Sequence, residues 1–307
     1  MVKSRITRYL SARLRKILLS EQELELLIKL KQNSCFPPGH FYSPIVDTET
    51  ILKNQNTIWP DKEHIQSEVR LNDLKQLELL SRFKDFYPGF PYINPLITKL
   101  RYKPENTFFD PLDAFTIYSF IRHFHPGKIL EIGSGYSSAV MLDTNQYFEN
   151  NNIRLTFIEP YPERLKSLLQ PDDYKVSEIV EKELQDIPLV KFRSLNKDDI
   201  LFIDSTHVCK TGSDLNYLFF KVLPVLNSGV IIHFHDIFNS FEYPRQWVLG
   251  GRNWNESYIL RTFLMYNDIF QILFFNDYLF IKYYKELSAA FPYPNLTSGG
   301  SIFLIKN

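Results

Sequence analysis

The stretch Lys128-Ile-Leu-Glu131-Ile-Gly133-Ser-Gly135-Tyr-Ser-Ser138 decides the fold class of this 307-residue chain. It opens with a short apolar run, which is typical of a buried strand, and passes through two glycines into a helical segment. Because glycine has no Cβ, it allows a sharp backbone turn and the close approach of a ligand. The order of strand, glycine turn and helix predicts a ligand-binding loop at the end of a parallel strand.

Apolar runs of similar length recur after this stretch, with helical segments between them. Nearly continuous apolar runs that alternate with helices are typical of a parallel sheet buried on both faces. We therefore expect an α/β fold, Rossmann-like and doubly wound, with a mostly parallel seven-stranded sheet and helices on both faces. The predicted strands are 128–132, 154–158, 174–180, 200–203, 229–233, 269–275 and 301–306.

Composition predicts three parts along the chain. Residues 1–34 form a basic N-terminal helical arm, since its first 20 residues contain six Lys or Arg and no acid. Residues 35–109 are irregular and rich in proline and aromatic residues, which favours a cap or lid over the site; a homodimer contact is the alternative. The α/β domain spans 110–307 and begins at the helix start Asp110-Pro111.

Charge and cysteine content exclude several classes of protein. The chain has 35 Lys and Arg against 35 Asp and Glu, and this neutrality argues against a nucleic-acid partner. Two cysteines, Cys35 and Cys209, are too few for a disulfide framework, so we expect reduced thiols and a cytoplasmic location. No apolar run is long enough for a transmembrane segment. The arm packs as a helix with solvated charges or, alternatively, makes weak peripheral contact with an anionic membrane.

An acidic residue ends the second predicted strand, in Ile158-Glu159-Pro160. An acid at this place accepts hydrogen bonds from a ribose diol. A dinucleotide site prefers a third glycine where this chain has Ser138, and the Glu131 carboxylate is unsuited to a pyrophosphate. These features favour a cationic sulfonium cofactor, S-adenosylmethionine, over a dinucleotide.

With these motifs the chain resembles the class I S-adenosylmethionine-dependent methyltransferases over about residues 110–307, and among them a bacterial subset with small-molecule or sugar-type substrates. The segments that carry the resemblance are 128–137, 157–160, 199–207 and 229–237. The resemblance implies which residues bind the cofactor. They are Glu131, Gly133, Ser134, Gly135 and Tyr136 at the methionine part, Glu159 at the ribose and Asp186, next to Gln185, at the adenine.

Acidic and imidazole side chains follow the fourth and fifth predicted strands, where strand ends line the ligand crevice. They are Asp204, His207, His235 and Asp236. A hydroxyl that receives a methyl group must lose its proton, to a general base or with the help of a metal ion. We favour His235 as the base, with His207 as the other candidate and Asp204 beside them. In the alternative, Asp204, Asp236 and His235 bind a divalent cation such as Mg²⁺.

The sequence therefore predicts an enzyme that moves the methyl group of S-adenosylmethionine to an oxygen, or alternatively a nitrogen, of a small molecule or glycan precursor. Competing hypotheses are a nicotinamide-dependent oxidoreductase or epimerase, a non-catalytic cofactor-binding partner in a biosynthetic complex, and an RNA methyltransferase that uses the basic arm. Ser138 argues against the oxidoreductase. The aromatic segment 241–247 is predicted either to contact the acceptor or to pack in the core.

Overall fold

A computed structural model describes residues 20–60, 68–94 and 96–307 of the chain. Most of the predicted basic arm, residues 1–19, lies outside the described residues. The chain divides into two compact units, of which one extends to Trp59 and includes Val248–Asn253. The other comprises Pro60–Trp247 and Trp254–Asn307, and it holds every predicted site residue.

The first unit contains helices and connecting turns. Helix α1 begins after Ser20, whose hydroxyl accepts a hydrogen bond from the Glu23 N–H while the Glu23 carboxylate accepts one from the Ser20 N–H. This capping box explains why the described part of the arm is helical. No helix in the described ranges is long and apolar enough to cross a membrane. The helices of this part of the chain are α1 (Glu21–Asn33), α2 (Thr48–Lys53) and α3 (Gln55–Ile58).

The second unit alternates helices with strands. A π-helical turn, Leu218–Val222, joins α9 to α10. Short 3₁₀ turns lie at Lys84–Gly89, Pro91–Ile93, Pro171–Lys175 and Leu184–Asp186. The helices that follow α3 along the chain are α4 (Asp73–Phe83), α5 (Pro111–Phe124), α6 (Tyr136–Phe148), α7 (Glu163–Leu168), α8 (Leu189–Arg193), α9 (Asp214–Tyr217), α10 (Leu223–Val225), α11 (Arg245–Leu249), α12 (Glu256–Met265), α13 (Asn276–Lys282) and α14 (Tyr284–Ala290).

Seven strands form one sheet within the described residues, in the order β3-β2-β1-β4-β5-β7-β6. Strands β1 to β5 pair in parallel, and β7 runs antiparallel to both β5 and β6. The predicted fold class is therefore confirmed. The strands are β1 (Lys128–Ile132), β2 (Arg154–Ile158), β3 (Ser177–Val180), β4 (Ile200–Ile203), β5 (Ile231–Phe234), β6 (Phe270–Phe275) and β7 (Ile302–Lys306).

Each face of the sheet has its own hydrophobic cluster. Along β1, Ile129 joins one cluster, whereas Leu130 and Ile132 join the other. Successive side chains of a strand point to opposite faces, so burial on both faces requires the continuous apolar runs seen in the sequence. This arrangement leaves the carboxyl ends of the central strands as the place where polar side chains meet.

The division of the chain does not coincide with the predicted boundary at residue 109. Leu80 and Phe83 of α4 lie in the same core cluster as α5, and so do Phe90 and Tyr102. The segment from α4 onwards is thus part of the hydrophobic core of the second unit. Its contacts are with elements far along the chain, which local sequence patterns do not reveal. That residues 35–109 act as a lid or a dimer contact stays a prediction.

Candidate active site

The turn after β1 joins the ends of three strands. Gly133 has a φ of +76°, and a Cβ added there would lie 1.7 Å from the carbonyl oxygen of Asp204. The Gly133 N–H donates to the Ile158 carbonyl at the end of β2, and the Asp204 N–H donates to the Ile132 carbonyl. Glycine is therefore required at 133 by a positive φ and by contact with the neighbouring strand end. The close approach is to protein backbone.

A pocket of about 470 Å³ opens at the carboxyl ends of β1, β2 and β4. Of the predicted cofactor residues, Gly133 and Glu159 line it, and Asp204 lies in its wall. Gln185 lines the pocket as well, whereas its neighbour Asp186 is exposed and does not. A concave site of this volume, with apolar and polar side chains in its wall, fits a small-molecule ligand.

Glu159 is held at the pocket wall by backbone hydrogen bonds. The Ser134 N–H donates to Oε2 at 3.1 Å, and the Tyr161 N–H donates to Oε1 at 2.8 Å. An ionised carboxylate has more lone pairs than these two bonds use. It is therefore positioned to accept further hydrogen bonds from a ligand with two neighbouring hydroxyls.

Gln185 presents an unused acceptor. Its Nε2 donates to the Gly212 carbonyl at 2.8 Å, while its Oε1 is buried and has no hydrogen-bond partner among the described residues. Buried polar atoms are normally paired, so this oxygen is suited to a donor on a bound ligand. Sequence reasoning placed the nearby contact at Asp186, because either polar residue fits the same position after β3.

Glu131 does not line the pocket but lies fully buried beneath the loop. Its carboxyl group accepts hydrogen bonds from the hydroxyls of Ser137 and Ser138, in the first turn of α6. Burial raises the pKa of Glu131 to about 8, although the two serine hydrogen bonds act in the opposite direction. The group therefore holds the helix start in place and is mainly protonated at pH 7.

The rest of the predicted loop lies next to the pocket wall. Ser134 and Gly135 are buried, and Tyr136 stacks on Phe108 with ring centroids 5.8 Å apart. The Arg164 guanidinium lies 4.0 Å from the Phe108 ring centroid. A Cβ added at Gly135 would lie 3.2 Å from the Cδ of Arg164. The structure thus brings Gly133 into the pocket lining and leaves Ser134, Gly135 and Tyr136 behind it.

Two imidazoles and two carboxylates meet beyond β4 and β5. His207 Nε2 lies 3.4 Å from Asp204 Oδ1 and 3.5 Å from Asp236 Oδ2. His235 Nδ1 lies 3.6 Å from Asp204 Oδ1 and 3.5 Å from Asp236 Oδ1. All four residues named from the sequence on this side are therefore neighbours, and we call them the His/Asp cluster. The side chain of Asp204 is 33% exposed, against 4% for His235.

A further carboxylate lies behind each imidazole. Glu256 Oε2 accepts a hydrogen bond from His207 Nδ1 at 2.7 Å, and Asp113 Oδ2 lies 3.5 Å from His235 Nε2. Both acids are almost fully buried. The sequence assigned neither a role, because Glu256 is 49 residues from its partner and Asp113 is on a buried face of α5.

The backbone is strained at two of the cluster residues. His207 and Asp236 have φ values of +60° and +59°. This left-handed conformation costs non-glycine residues about 1 kcal/mol, and such outliers concentrate at functional sites. The N–H groups of Asn255 and Glu256 both donate to the His207 carbonyl, so the start of α12 holds this residue in place.

The charges of the cluster compensate one another. Burial lowers the pKa of His207, but hydrogen bonds to Asp204 and Glu256 outweigh it and raise that pKa to about 10. Burial also lowers the pKa of His235, yet the charges of Asp236 and Asp204 raise it well above its ordinary value. Burial raises the pKa of Asp204, but His235 and His207 bring it well below its usual range. Each charge is stabilised by an opposite neighbour.

Two neighbouring features are structural. His233 is fully buried, with Nε2 2.8 Å from Ser301 Oγ and its ring stacked 3.7 Å from that of Phe202. In the aromatic segment after β5, Phe241 and Tyr243 are buried in the core. The packing interpretation of that segment therefore holds for these two side chains.

Sequence comparison finds a methyltransferase domain within the chain and one relative of similar sequence. Residues 130–237 match a family described as "Methyltransferase domain", a range that holds β1 to β5 and the His/Asp cluster. An uncharacterized protein of Archaeoglobus fulgidus is 35% identical over 173 residues, which are 54% of this chain and 76% of that protein.

Structure comparison finds distant likenesses to methyltransferases. The Podospora anserina methyltransferase PaMTH1, solved with S-adenosylhomocysteine, is 13% identical at a TM-score of 0.42 and covers 89% of this chain and 99% of its own. The O-methyltransferase TomG of Streptomyces achromogenes, solved with S-adenosylmethionine, is 14% identical at a TM-score of 0.42. The match covers 85% of this chain and 96% of TomG. The matched range identifies residues 130–237 as a methyltransferase domain.

Proposed function

We propose that the enzyme transfers the methyl group of S-adenosylmethionine to an oxygen atom of a small molecule or glycan precursor. The single observation that carries this proposal is the position of Asp204. Asp204 lines the cofactor pocket, and its carboxylate lies 3.4 Å from His207 and 3.6 Å from His235 of the His/Asp cluster. A methyl donor in the pocket therefore lies next to groups that can take a proton from an acceptor.

The cofactor half of the proposal assigns each part of the donor to a pocket residue. Glu159 accepts hydrogen bonds from the ribose diol, since its carboxylate is already oriented by two backbone N–H groups. The unpaired Gln185 Oε1 accepts from the adenine amino group, an assignment that replaces Asp186. The methionine part lies against Gly133, the one residue of the Gly133–Tyr136 loop that lines the pocket. Glu131 supports the helix start after this loop through Ser137 and Ser138.

The acceptor half follows from the chemistry of methyl transfer. The reaction is an in-line displacement in which the bond from sulfur to methyl carbon breaks as the bond from oxygen to carbon forms, leaving S-adenosylhomocysteine. Asp204, the most exposed member of the cluster, accepts a hydrogen bond from the acceptor hydroxyl. His235 takes up the proton from its neutral form, and because Asp236 and Asp204 raise its pKa well above the ordinary value, this form is reached only as the pH rises. Asp113 behind it stabilises the imidazolium that results, and His207 is the second candidate base.

The donor set of the cluster does not fit Mg²⁺. This ion prefers six oxygen ligands in a nearly ideal octahedron and is rarely bound by imidazole. The cluster offers two carboxylates, and the atoms closest to them are imidazole nitrogens. Mg²⁺ therefore has no part in the proposed methyl transfer.

Incubation with S-adenosylmethionine labelled in its methyl group tests the proposed function. A panel of phenols, catechols, sugar hydroxyls and matched amines is offered, and labelled products are separated by chromatography. Label on a hydroxyl acceptor, lost in a His235→Asn variant that still binds S-adenosylhomocysteine, supports the proposal. Label on amines alone would contradict the assignment of oxygen as the acceptor atom.

A further inference from the structure

Strand β6 lies at an edge of the sheet. It pairs with β7 on one side, and on its other side no strand pairs with it among the described residues. The backbone N–H and C=O groups along such an edge are a template for pairing with another chain. Whatever occupies these groups therefore decides whether the chain associates through this strand.

The sequence of β6 favours pairing with a copy of itself. Phe270-Gln-Ile-Leu-Phe-Phe275 is apolar apart from one glutamine, and it contains no charged residue and no proline. Six-residue segments of high β-propensity and low net charge are those that stack on identical segments. Lysine or proline commonly protects an edge strand, and β6 has neither. Its protection must come largely from residues outside the strand.

Two side chains at the start of α4 bind the outer edge of β6. Asn72 Nδ2 donates to the Ile272 carbonyl at 3.0 Å, and the Phe275 N–H donates to Gln76 Oε1 at 2.9 Å. We call Asn72 and Gln76 the β6 cover. A strand from a second copy would have to bond to the same backbone groups, and α4 packs beside β6 where that strand would lie. The cover and a second strand therefore exclude each other.

Gln76 is a polar residue at a position that packing alone would give to leucine. It is fully buried on α4, the helix that contributes Leu79 and Leu80 to the core. Its Nε2 donates to the Leu71 carbonyl, so both ends of the side-chain amide are paired. Burial of an amide is costly unless its hydrogen bonds are made. The glutamine is thus accounted for by the Phe275 N–H that it satisfies.

Asn72 is fixed by its backbone. Its φ is +54°, a left-handed conformation that asparagine adopts more readily than most residues. Its carbonyl accepts from the N–H groups of Lys75 and Gln76, so the first turn of α4 holds it in place. The preceding Leu71 is buried in the same hydrophobic cluster as Ile272. The donor of the cover is therefore held against the strand by local structure.

We infer that the β6 cover is an autoinhibitory contact, which prevents β6 from pairing with β6 of a second copy of this chain. The two side chains satisfy the outer edge without presenting a further strand edge to solvent. Once they are removed, pairing with a second β6 satisfies the same N–H and C=O groups. This role is separate from methyl transfer, because neither α4 nor β6 contributes to the pocket lining or to the His/Asp cluster.

Sedimentation velocity of the full chain over a range of concentrations tests the inference. Asn72→Gly removes the side-chain donor while glycine tolerates a φ of +54°. Loss of one hydrogen bond is worth about 10-fold, so we expect self-association at least about 10-fold tighter than in wild type. Gln76→Leu should have a similar or larger effect. The control is Asn150→Gly, an exposed asparagine with the same φ of +54°, which should leave association unchanged.

A second substitution shows whether the association uses β6. Gln271→Lys places a charge in the strand, and a charged edge strand opposes pairing with its own copy. Added to Asn72→Gly, it should return self-association to the wild-type level. Association in Asn72→Gly no tighter than in wild type, or association that Gln271→Lys leaves unchanged, would overturn the inference.

Hydrogen exchange of the wild type gives a readout that does not depend on a variant. The Phe275 amide should be protected at least about 10-fold relative to an unstructured peptide, because Gln76 accepts its hydrogen. The Asn276 amide, which donates to the Ser301 carbonyl, is the internal reference within the same segment. A Phe275 amide that exchanges freely while that of Asn276 is protected would show that the cover is absent and refute its role.

Discussion

The two halves of the sheet end in different kinds of surface. Beyond β1, β2 and β3, the pocket wall combines apolar side chains with Gln185 and the carboxylates of Glu159 and Glu183. Beyond β4 and β5 lie two imidazoles and two carboxylates, with further acids buried behind them. Asp204 belongs to both surfaces, since it lines the pocket and its carboxylate lies beside His207.

This difference separates binding from chemistry. A ligand that has to be held but not altered needs hydrogen-bonding groups and space, and the first half supplies both. Proton removal needs titratable groups with compensated charges, and the second half concentrates them. Substitutions in one half should therefore change cofactor affinity, and substitutions in the other should change turnover.

Gly133→Ala should have the largest effect, because it disrupts the turn on which both halves depend. A Cβ there meets the Asp204 carbonyl oxygen at 1.7 Å, in addition to the strain of a φ of +76°. The control is Gly251→Ala, where φ is +89° but no atom lies within 4 Å. We expect Gly133→Ala to lose at least about 3 kcal/mol more unfolding free energy than the control. Equal losses in denaturant titrations would show that the contact between strand ends is unimportant.

His235→Asn should come next and affect turnover alone. Loss of a general base typically lowers kcat by about 10²- to 10⁴-fold. The affinity for S-adenosylhomocysteine should stay within about threefold, since His235 does not line the pocket. The matched control is His125→Asn on the surface. A parallel loss of affinity and turnover in His235→Asn would mean that the two halves do not act separately.

Glu159→Gln should show the opposite pattern. Losing a charged acceptor for the ribose diol costs about 1.5–3 kcal/mol, or roughly 10- to 100-fold in affinity for S-adenosylhomocysteine. At saturating cofactor, kcat should stay within about threefold of wild type. Glu163→Gln, an exposed acid at the start of α7 outside the pocket lining, serves as the control. Unchanged calorimetric affinity in Glu159→Gln would remove the ribose assignment.

Glu131→Gln comes last, and its effect should appear as a change in the pH dependence of stability. The pKa of Glu131 is raised by burial to about 8 in the folded chain, against 4.5 ordinarily. The folded state therefore holds a proton that the unfolded state loses, and stability falls as pH rises from about 4.5 to 8. Because a glutamine side chain cannot ionise, the variant should lose roughly 5 °C less in Tm than wild type between pH 5 and pH 9. Parallel Tm curves would refute a buried neutral carboxyl.

The positions of the strands along the chain were predictable from the sequence, because they depend on local patterns of apolar residues. The apolar runs correspond to the observed strands within a few residues; the run 229–233, for example, became Ile231–Phe234. The cluster beyond β4 and β5 could be anticipated as well, since carboxyl ends of parallel strands lie at one edge.

Contacts between distant segments were not predictable. Nothing local to Glu256 indicates that it contacts His207, or that Asp113 on α5 faces His235. The positive φ of His207 and of Asp236 is likewise imposed by surrounding structure, because single residues of these types carry no signal for it. The incorporation of α4 into the core depends in the same way on partners such as Phe275, whose N–H donates to Gln76 Oε1 at 2.9 Å.

A crystal structure of the full chain with S-adenosylhomocysteine would show whether the cofactor and the acceptor groups meet at Asp204. We expect the ribose diol on Glu159, the adenine amino group on Gln185 Oε1 and the sulfur at the side of the pocket formed by Asp204. S-adenosylhomocysteine bound away from this pocket, or with its sulfur turned away from Asp204, would contradict the claim that cofactor and acceptor groups meet there.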